Sequence, residues 1–216
     1  MTTLAQSFLT PAEQETITRY VQEAEKQTSG EIVPMIVSES HRYPLAPVSG
    51  ATFISLPTAL LATHLLGKYF WIGPDNMWLF LICFILLYIV SYPLVKNISW
   101  LKRRFLLPKR ADEEVRAGAE QAFFREKLYR TKAQNGILLY ISVFEHRVWI
   151  LGDSGINEKI PQEQWQEIVD SVINGIRKNR QGEAICEAVT RIGSILQEYY
   201  PSTKEDRDQL HNLIIE

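Results

Sequence analysis

The chain is poor in features that would point to common activities. Its 216 residues include two cysteines, Cys83 in an apolar run and Cys186 in a helical pattern far away. A pair in such different settings gives no disulfide framework, and both read as small apolar residues. Basic residues are not in excess: 23 Lys and Arg against 25 Asp and Glu leave a formal net charge of -2. With no RNA- or DNA-binding motif either, a nucleic-acid partner is not expected. P-loop, H-E-x-x-H and paired-cysteine metal motifs are missing. The opening residues, MTTLAQSFLTPAEQE, lack the basic and apolar regions of a signal peptide, so this part is expected to stay in the cytoplasm. Charge is also missing from the middle, where residues 46–95 hold only Lys68 and Asp75.

That uncharged middle carries the clearest pattern. Met77–Val95 has no charge and no polar face, and a membrane-spanning helix needs about 20 such residues. The preceding run, 47–66, is also uncharged but richer in Ser, Thr and small residues. Pro57 is expected to kink it. Gly50, Ala51, Ser55 and Ala59 would let it pack closely on the second span. His64, near the end of this run, reads as an interfacial side chain or as a proton or metal ligand. Gly73-Pro74 and Asp75-Asn76 are turn signals between the spans, with Tyr69, Phe70, Trp71 and Trp78 suited to a membrane–water interface. The spans therefore predict a transmembrane helical hairpin over 43–98. Lys96, Lys102, Arg103, Arg104, Lys109 and Arg110 follow the second span, whereas the hairpin loop offers only Lys68. The positive-inside rule then puts both ends of the hairpin in the cytoplasm, as a multi-pass protein of the inner (plasma) membrane.

The flanks read as two halves of one domain. In the first, residues 1–42, Thr10, Pro11 and Glu13 form a helix start with a capping box. A stripe of Ile17, Tyr20, Val21 and Ala24 follows, Gly30 closes the helix, and 31–38 is a strand interrupted by Pro34. So short a piece buries no core alone. The second, 99–201, predicts a helix over 111–133 with Val115, Ala119, Ala122 and Phe123 on one face and Asn135-Gly136 stopping it. A buried strand at 137–144, a turn at Glu145-His146-Arg147 and a return strand at 147–151 come next. GDSGINEKIP reads as a loop. Helices follow at 162–178 and 182–199, and Pro201 ends the second. The tail, 202–216, reads as a loose helix or as disorder. Joined, the flanks predict a three-layer α/β/α sandwich interrupted by the two-helix hairpin.

LTPAEQETITRYVQEAEKQTSGEIVPMIV, NGILLYISVFEHRVWILGDSGI and GEAICEAVTRIGSILQEYYP together resemble the TPM domain family, in the family's order. The resemblance implies an α/β/α domain commonly tethered to membranes. It implies one of several roles: accessory or repair function for membrane proteins, divalent-cation binding such as calcium, or acid phosphatase activity. A hairpin inside the domain, in place of a signal peptide and C-terminal anchor, departs from many members.

Site candidates are few. Gly152–Gly155 reads GDSG, but no two-barrel β pattern or G-x-S-x-G elbow supports a serine hydrolase. Asp153 and Glu158 either hold a hard cation such as calcium or leave Asp153 satisfying backbone donors in a glycine-rich turn. Glu145 and Arg147 read as a solvated charged turn or as site residues. Glu31 either begins its strand or reaches Arg147 or a site. Ser38, Glu39 and Ser40 end the first strand, where open α/β sheets place ligands. Lys102, Arg103 and Arg104, interleaved with apolar residues, either lie along an anionic membrane surface or only set topology. The expected function is an interaction, assembly or quality-control module for membrane proteins, with the lipid bilayer and another membrane protein or a second copy as partners. A cation-dependent phosphatase is the alternative.

Overall fold

A computed structural model describes residues 3–71, 73, 76–131, 134–202 and 212–216. In chain order its elements are α1 (Pro11–Glu25), β1 (Glu31–Val37), α2 (Leu45–Tyr69), α3 (Met77–Asn97), α4 (Ser99–Arg104), α5 (Pro108–Arg125), β2 (Gly136–Ser142), β3 (Arg147–Gly152), α6 (Ser154–Lys159), α7 (Gln162–Arg177), α8 (Gln181–Tyr199) and β4 (Ile214–Ile215). They form two compact units, Met1–His41 with Asp112–Glu216, and Arg42–Ala111.

The first unit is a mixed α/β fold. Its sheet runs β3-β2-β1-β4, with β1 parallel to β2 and β4, and β3 antiparallel to β2. β1 and β2 are buried along their whole length, as their apolar runs require. Alternate side chains separate into two cores. Ile32, Ile36, Ile137, Leu139 and Ile141 pack with α1, α7 and α8, through residues such as Ile17, Val21, Ile168, Val172, Ile185 and Ile192. Val33, Met35, Val37, Leu138 and Tyr140 pack with Val115, Ala119, Ala122 and Phe123 of α5. Each fully buried aliphatic side chain contributes about 1.5–3 kcal/mol.

Local signals account for the boundaries. Thr10 caps α1: its hydroxyl accepts from the Glu13 N–H at 3.3 Å, and Glu13 accepts from the Thr10 N–H at 2.8 Å. Pro34 is tolerated in β1 for a positional reason. Glu31 and Val37 bond toward β2 and Ile36 toward β4, so the missing donor of Pro34 faces the β4 side. β4 begins only at Ile214, opposite Met35.

The sequence expectation fails at several boundaries. α1 ends at Glu25, with Lys26 as its C-cap, and not at Gly30. α5 ends at Arg125, not at Ala133, because Lys127 turns left-handed (φ 59°) and starts a 3-10 turn, Leu128–Arg130, whose Leu128 is buried. Lys132 and Ala133 lie outside the described residues. GDSGINEKIP is not all loop: Asp153 caps the short helix α6. The tail supplies a strand at Ile214–Ile215, although 203–211 lie outside the described residues. Two residues are too short a run to show strand periodicity.

The second unit is a helical hairpin followed by α4. α2 buries a stripe at every fourth position, Pro47, Ala51, Ser55, Ala59, Thr63 and Gly67. The small residues predicted for close packing thus lie on the seam. At Gly50 the approach is closest, since a Cβ there would stand 2.8 Å from Val95 and 2.7 Å from Phe105. Pro57 and His64 face away from the seam, and α2 continues through Pro57. On α3, Phe80, Phe84, Tyr88 and Tyr92 form a ladder with ring centroids 5.9–6.2 Å apart. Asn76 caps α3 through Leu79 N–H, while Ile72, Pro74 and Asp75 of the expected turn lie outside the described residues. Both helices are long and apolar enough to cross a membrane. Only 33% of the most apolar stretch of α2 and 17% of that of α3 is buried, so most of this apolar surface faces outward.

Candidate functional site

The predicted site residues fall at opposite ends of the sheet. Glu31 opens β1 opposite Gly136, and Asp153 follows β3 at the same end, its N–H bonded to Gly136 O at 2.9 Å. Arg147 pairs with Ser142, which lies level with Val37. Six residues of strand, about 20 Å, separate Glu31 from Arg147, so of the alternatives left open for Glu31 the contact with Arg147 does not form.

At the Asp153 end, one carboxylate oxygen is held locally, while Oδ2 is buried with no hydrogen-bond partner among the described residues. Oδ1 accepts from Ser154 N–H at 2.7 Å and from Ser154 Oγ at 3.4 Å, as a helix N-cap does. Asn157 Nδ2 donates to Gly152 O at 2.8 Å, fixing the same turn. Glu158 is exposed on α6. Among the described residues, no group of three His, Cys, Asp or Glu is arranged to hold a metal ion.

The other end, at the C-termini of β1 and β2, is more developed. Glu145 is not a solvated turn residue: it is 4% exposed. Its Oε1 accepts the Ser40 N–H at 2.9 Å, and its Oε2 accepts the Ser142 hydroxyl. The carboxylate thereby ties the chain leaving β1 to the β2–β3 turn. Arg147 pairs with Asp112 of α5 at the same edge. His41 Nδ1 lies 3.5 Å from Glu114 Oε2.

Beside this clamp lies a cavity of about 240 Å3, walled by Ser38, Ser40, Gly118, Gln121, Arg125 and Tyr140 among others. Ser40 Oγ and Tyr140 Oη are 3.2 Å apart. Burial pushes the Tyr140 phenol above its ordinary value, against the opposing pull of the Ser40 hydrogen bond. Arg125 bonds Glu126 at 2.9 Å and Glu216 at 2.6 Å. The hydrogen bond to Glu126 first, and Glu216 further, hold the guanidinium above its usual value. The wall can hydrogen-bond a small polar group through hydroxyl, amide and guanidinium.

Sequence reasoning reached Ser38, Glu39 and Ser40 as strand-end residues, but it missed Tyr140, Gly118, Arg125 and Glu216. Two of these left a signal. Tyr140 is a polar-tipped aromatic residue in a strand that is otherwise aliphatic up to Ser142, and Gly118 interrupts an amphipathic helix at a cost of about 0.5–1 kcal/mol. That cost marks a close approach: a Cβ at 118 would stand 2.8 Å from Tyr140 Oη and 3.3 Å from Ser40 Cβ.

In the second unit, α4 carries Lys102, Arg103 and Arg104 in its last turn, with Trp100 and Leu107 exposed around it. Lys102 Nζ lies 6.0 Å from the Tyr43 ring centre.

With this geometry in place, the comparisons give a consistent result. The TPM domain family model matches residues 105–195, which bears out the resemblance read from the sequence. Among solved structures, the NMR structure of BA42 protein from the psychrophilic bacterium Bizionia argentinensis is similar with a TM-score of 0.58 and 21% identity. The match covers 96% of this chain and 94% of that one, and at this identity it supports the fold. No curated protein matches the chain.

Proposed function

We propose that this chain is a membrane-anchored TPM-domain protein whose α/β unit serves as an interaction, assembly or quality-control module for other membrane proteins. The hairpin crosses the inner membrane twice, and the α/β unit lies on the cytoplasmic side. What supports the anchor is the outward apolar surface of α2 and α3. A core helix of a water-soluble protein would be mostly buried, and these are not. Leu60, Leu61, Ile82, Ile85 and Ile89 would otherwise meet water, at about 25 cal/mol per Å2. The sidedness rests on the basic residues after α3. Lys102, Arg103 and Arg104 would then sit at the anionic cytoplasmic leaflet.

The observation that carries the interaction reading is how the edge residues are used. Glu145 holds Ser40 and Ser142, Arg125 holds Glu126 and Glu216, and Arg147 holds Asp112. These side chains spend their charge on shaping the domain, which suits a binding module.

The test is purification from native membranes in mild detergent with the hairpin intact. A membrane protein recovered at about 1:1 stoichiometry is the expected result. Repeated recovery of the chain alone would overturn the reading.

A further inference from the structure

β3 is an edge strand, and its outer side is built unlike a protected edge. No strand among the described residues pairs with it. The bond from Asp153 N–H to Gly136 O fixes the phase of the β2–β3 ladder. Bonded pairs alternate along an antiparallel pair, so Arg147, Trp149 and Leu151 exchange bonds with β2. Val148 and Ile150 therefore turn their N–H and C=O groups outward. The next outward carbonyl, at Gly152, is already bonded to Asn157. The open ladder is thus one short segment with donors and acceptors at strand spacing, about 6.7 Å apart.

Past Arg147 at its start, the strand lacks most of the devices that blunt an edge. Val148-Trp149-Ile150-Leu151 has no lysine, no proline and no inward charge. A cavity of about 330 Å3 runs along this edge, with Trp165, Val169 and Ile173 of α7 on one side and Asp112 and Val115 of α5 on the other. Trp165 supplies an independent observation. It is 5% exposed, and its Nε1–H has no hydrogen-bond acceptor among the described residues. A buried indole N–H ordinarily finds one. Trp165 lines the groove, whose floor has unpaired backbone groups, but Nε1 itself is closed off from solvent and reaches an occupant only if the ring turns.

The charge of the groove selects the occupant. Its acid and its base, Asp112 and Arg147, are paired with each other, so a charged segment gains no counter-ion there. The remaining wall is apolar, aromatic or amide. The edge is also recessed between two helices, which admits a single extended chain but not the equally recessed edge of a second copy.

We propose that the outer edge of β3 binds an extended, uncharged, apolar peptide segment of a partner protein by strand addition, with the Trp165 ring turning to donate its Nε1–H to it. The proposal rests on the interaction reading above and names its surface.

The probe is a displayed library of ten-residue peptides, selected on the full detergent-solubilised chain. Uncharged peptides rich in Val, Ile, Thr and aromatic residues are expected. Their affinity should fall at least tenfold on Ile150→Pro, which removes an outward N–H that β2 does not use. It should also fall on Trp165→Phe, which keeps the ring and loses the donor. N-methylating two consecutive central residues of a peptide blocks both of its edges and should abolish binding. Circular dichroism establishes that each variant is folded, and Trp165→Phe stands alone where Ile150→Pro does not fold. Selection of no peptide, of charged peptides, or of peptides indifferent to N-methylation or to both variants would overturn the proposal. So would disulfide dimers formed readily through Ile150→Cys, which would assign the edge to a second copy. If a membrane partner co-purifies with Ile150→Pro and Trp165→Phe chains as with the parent, the groove assignment fails while the interaction reading stands.

Discussion

The Glu145 carboxylate accepts the backbone N–H of Ser40 at 2.9 Å, across 105 residues of sequence. With its bond from Ser142, this group joins the loop leaving β1 to the turn between β2 and β3. Glu145→Ala leaves one buried and one half-buried donor without a partner. Each such loss costs about 1–3 kcal/mol, so thermal unfolding in detergent should shift down by at least several degrees. An unchanged melting temperature would mean that the clamp contributes nothing.

Gly118 and Tyr140 should be energetically coupled. Glycine to alanine within a helix ordinarily stabilises by about 0.5–1 kcal/mol. Here the added methyl meets Tyr140 Oη, so Gly118→Ala should destabilise by about 1–2 kcal/mol. In a Tyr140→Phe background the closest obstruction is gone and only Ser40 Cβ at 3.3 Å remains, so the same change should cost less. Additive effects in the double-mutant cycle would refute the close approach.

Tyr140 should give the unit a measurable alkaline limit. Its folded-state value lies above the ordinary 10.0 because burial disfavours the phenolate. The unfolded chain therefore loses its proton first. The associated stability is complete below about pH 10 and declines as pH rises toward the folded value. Ultraviolet titration at alkaline pH should show a late tyrosine component that is missing in Tyr140→Phe. The Cys186 thiol is likewise raised by burial, and its alkylation should be slow until the protein unfolds.

Asp153 should act as a helix cap rather than as a catalytic group. Asp153→Asn keeps a cap acceptor and should change stability by less than about 0.5 kcal/mol, while Asp153→Ala should cost about 0.5–2 kcal/mol. A phosphomonoester assay on the purified protein supplies the contrary outcome. Activity that disappears in a folded Asp153→Asn protein would establish the phosphatase and its site.

The hairpin makes two separate predictions. Gly50→Leu places a branched side chain where a Cβ alone would stand 2.8 Å from Val95, so cross-linking between cysteines placed on the α2–α3 seam should weaken. A reporter joined after Glu216 should read as cytoplasmic. A periplasmic signal would reverse the orientation read from Lys96 to Arg110.

Several parts of this architecture were legible in the sequence because their causes are local. Thr10-Pro11 with Glu13 marks a helix start wherever it occurs, and the structure caps α1 there. The uninterrupted apolar runs of β1 and β2 report burial on both faces. The fourfold spacing of small residues in α2 reports a close helix seam. Even the charge-poor middle carries its own meaning, because a long apolar helix needs no distant partner to be recognised.

Other features depend on residues that meet only after folding. Glu145 sits in an exposed-looking EHR turn, yet Ser40 and Ser142 bury it. Ile214 and Ile215 become a strand only because β1 offers them an edge at Met35. Glu31 and Arg147 look like possible partners, but the parallel register of β1 and β2 places them at opposite ends of the sheet. The sequence by itself determined the helix caps, the buried strands and the apolar hairpin, since propensity and periodicity act over a few neighbouring residues. Only the tertiary structure decided which carboxylate is clamped, which strand edge stays open and which indole lies beside it, because strand register, helix packing and long-range hydrogen bonds join positions that are distant in sequence.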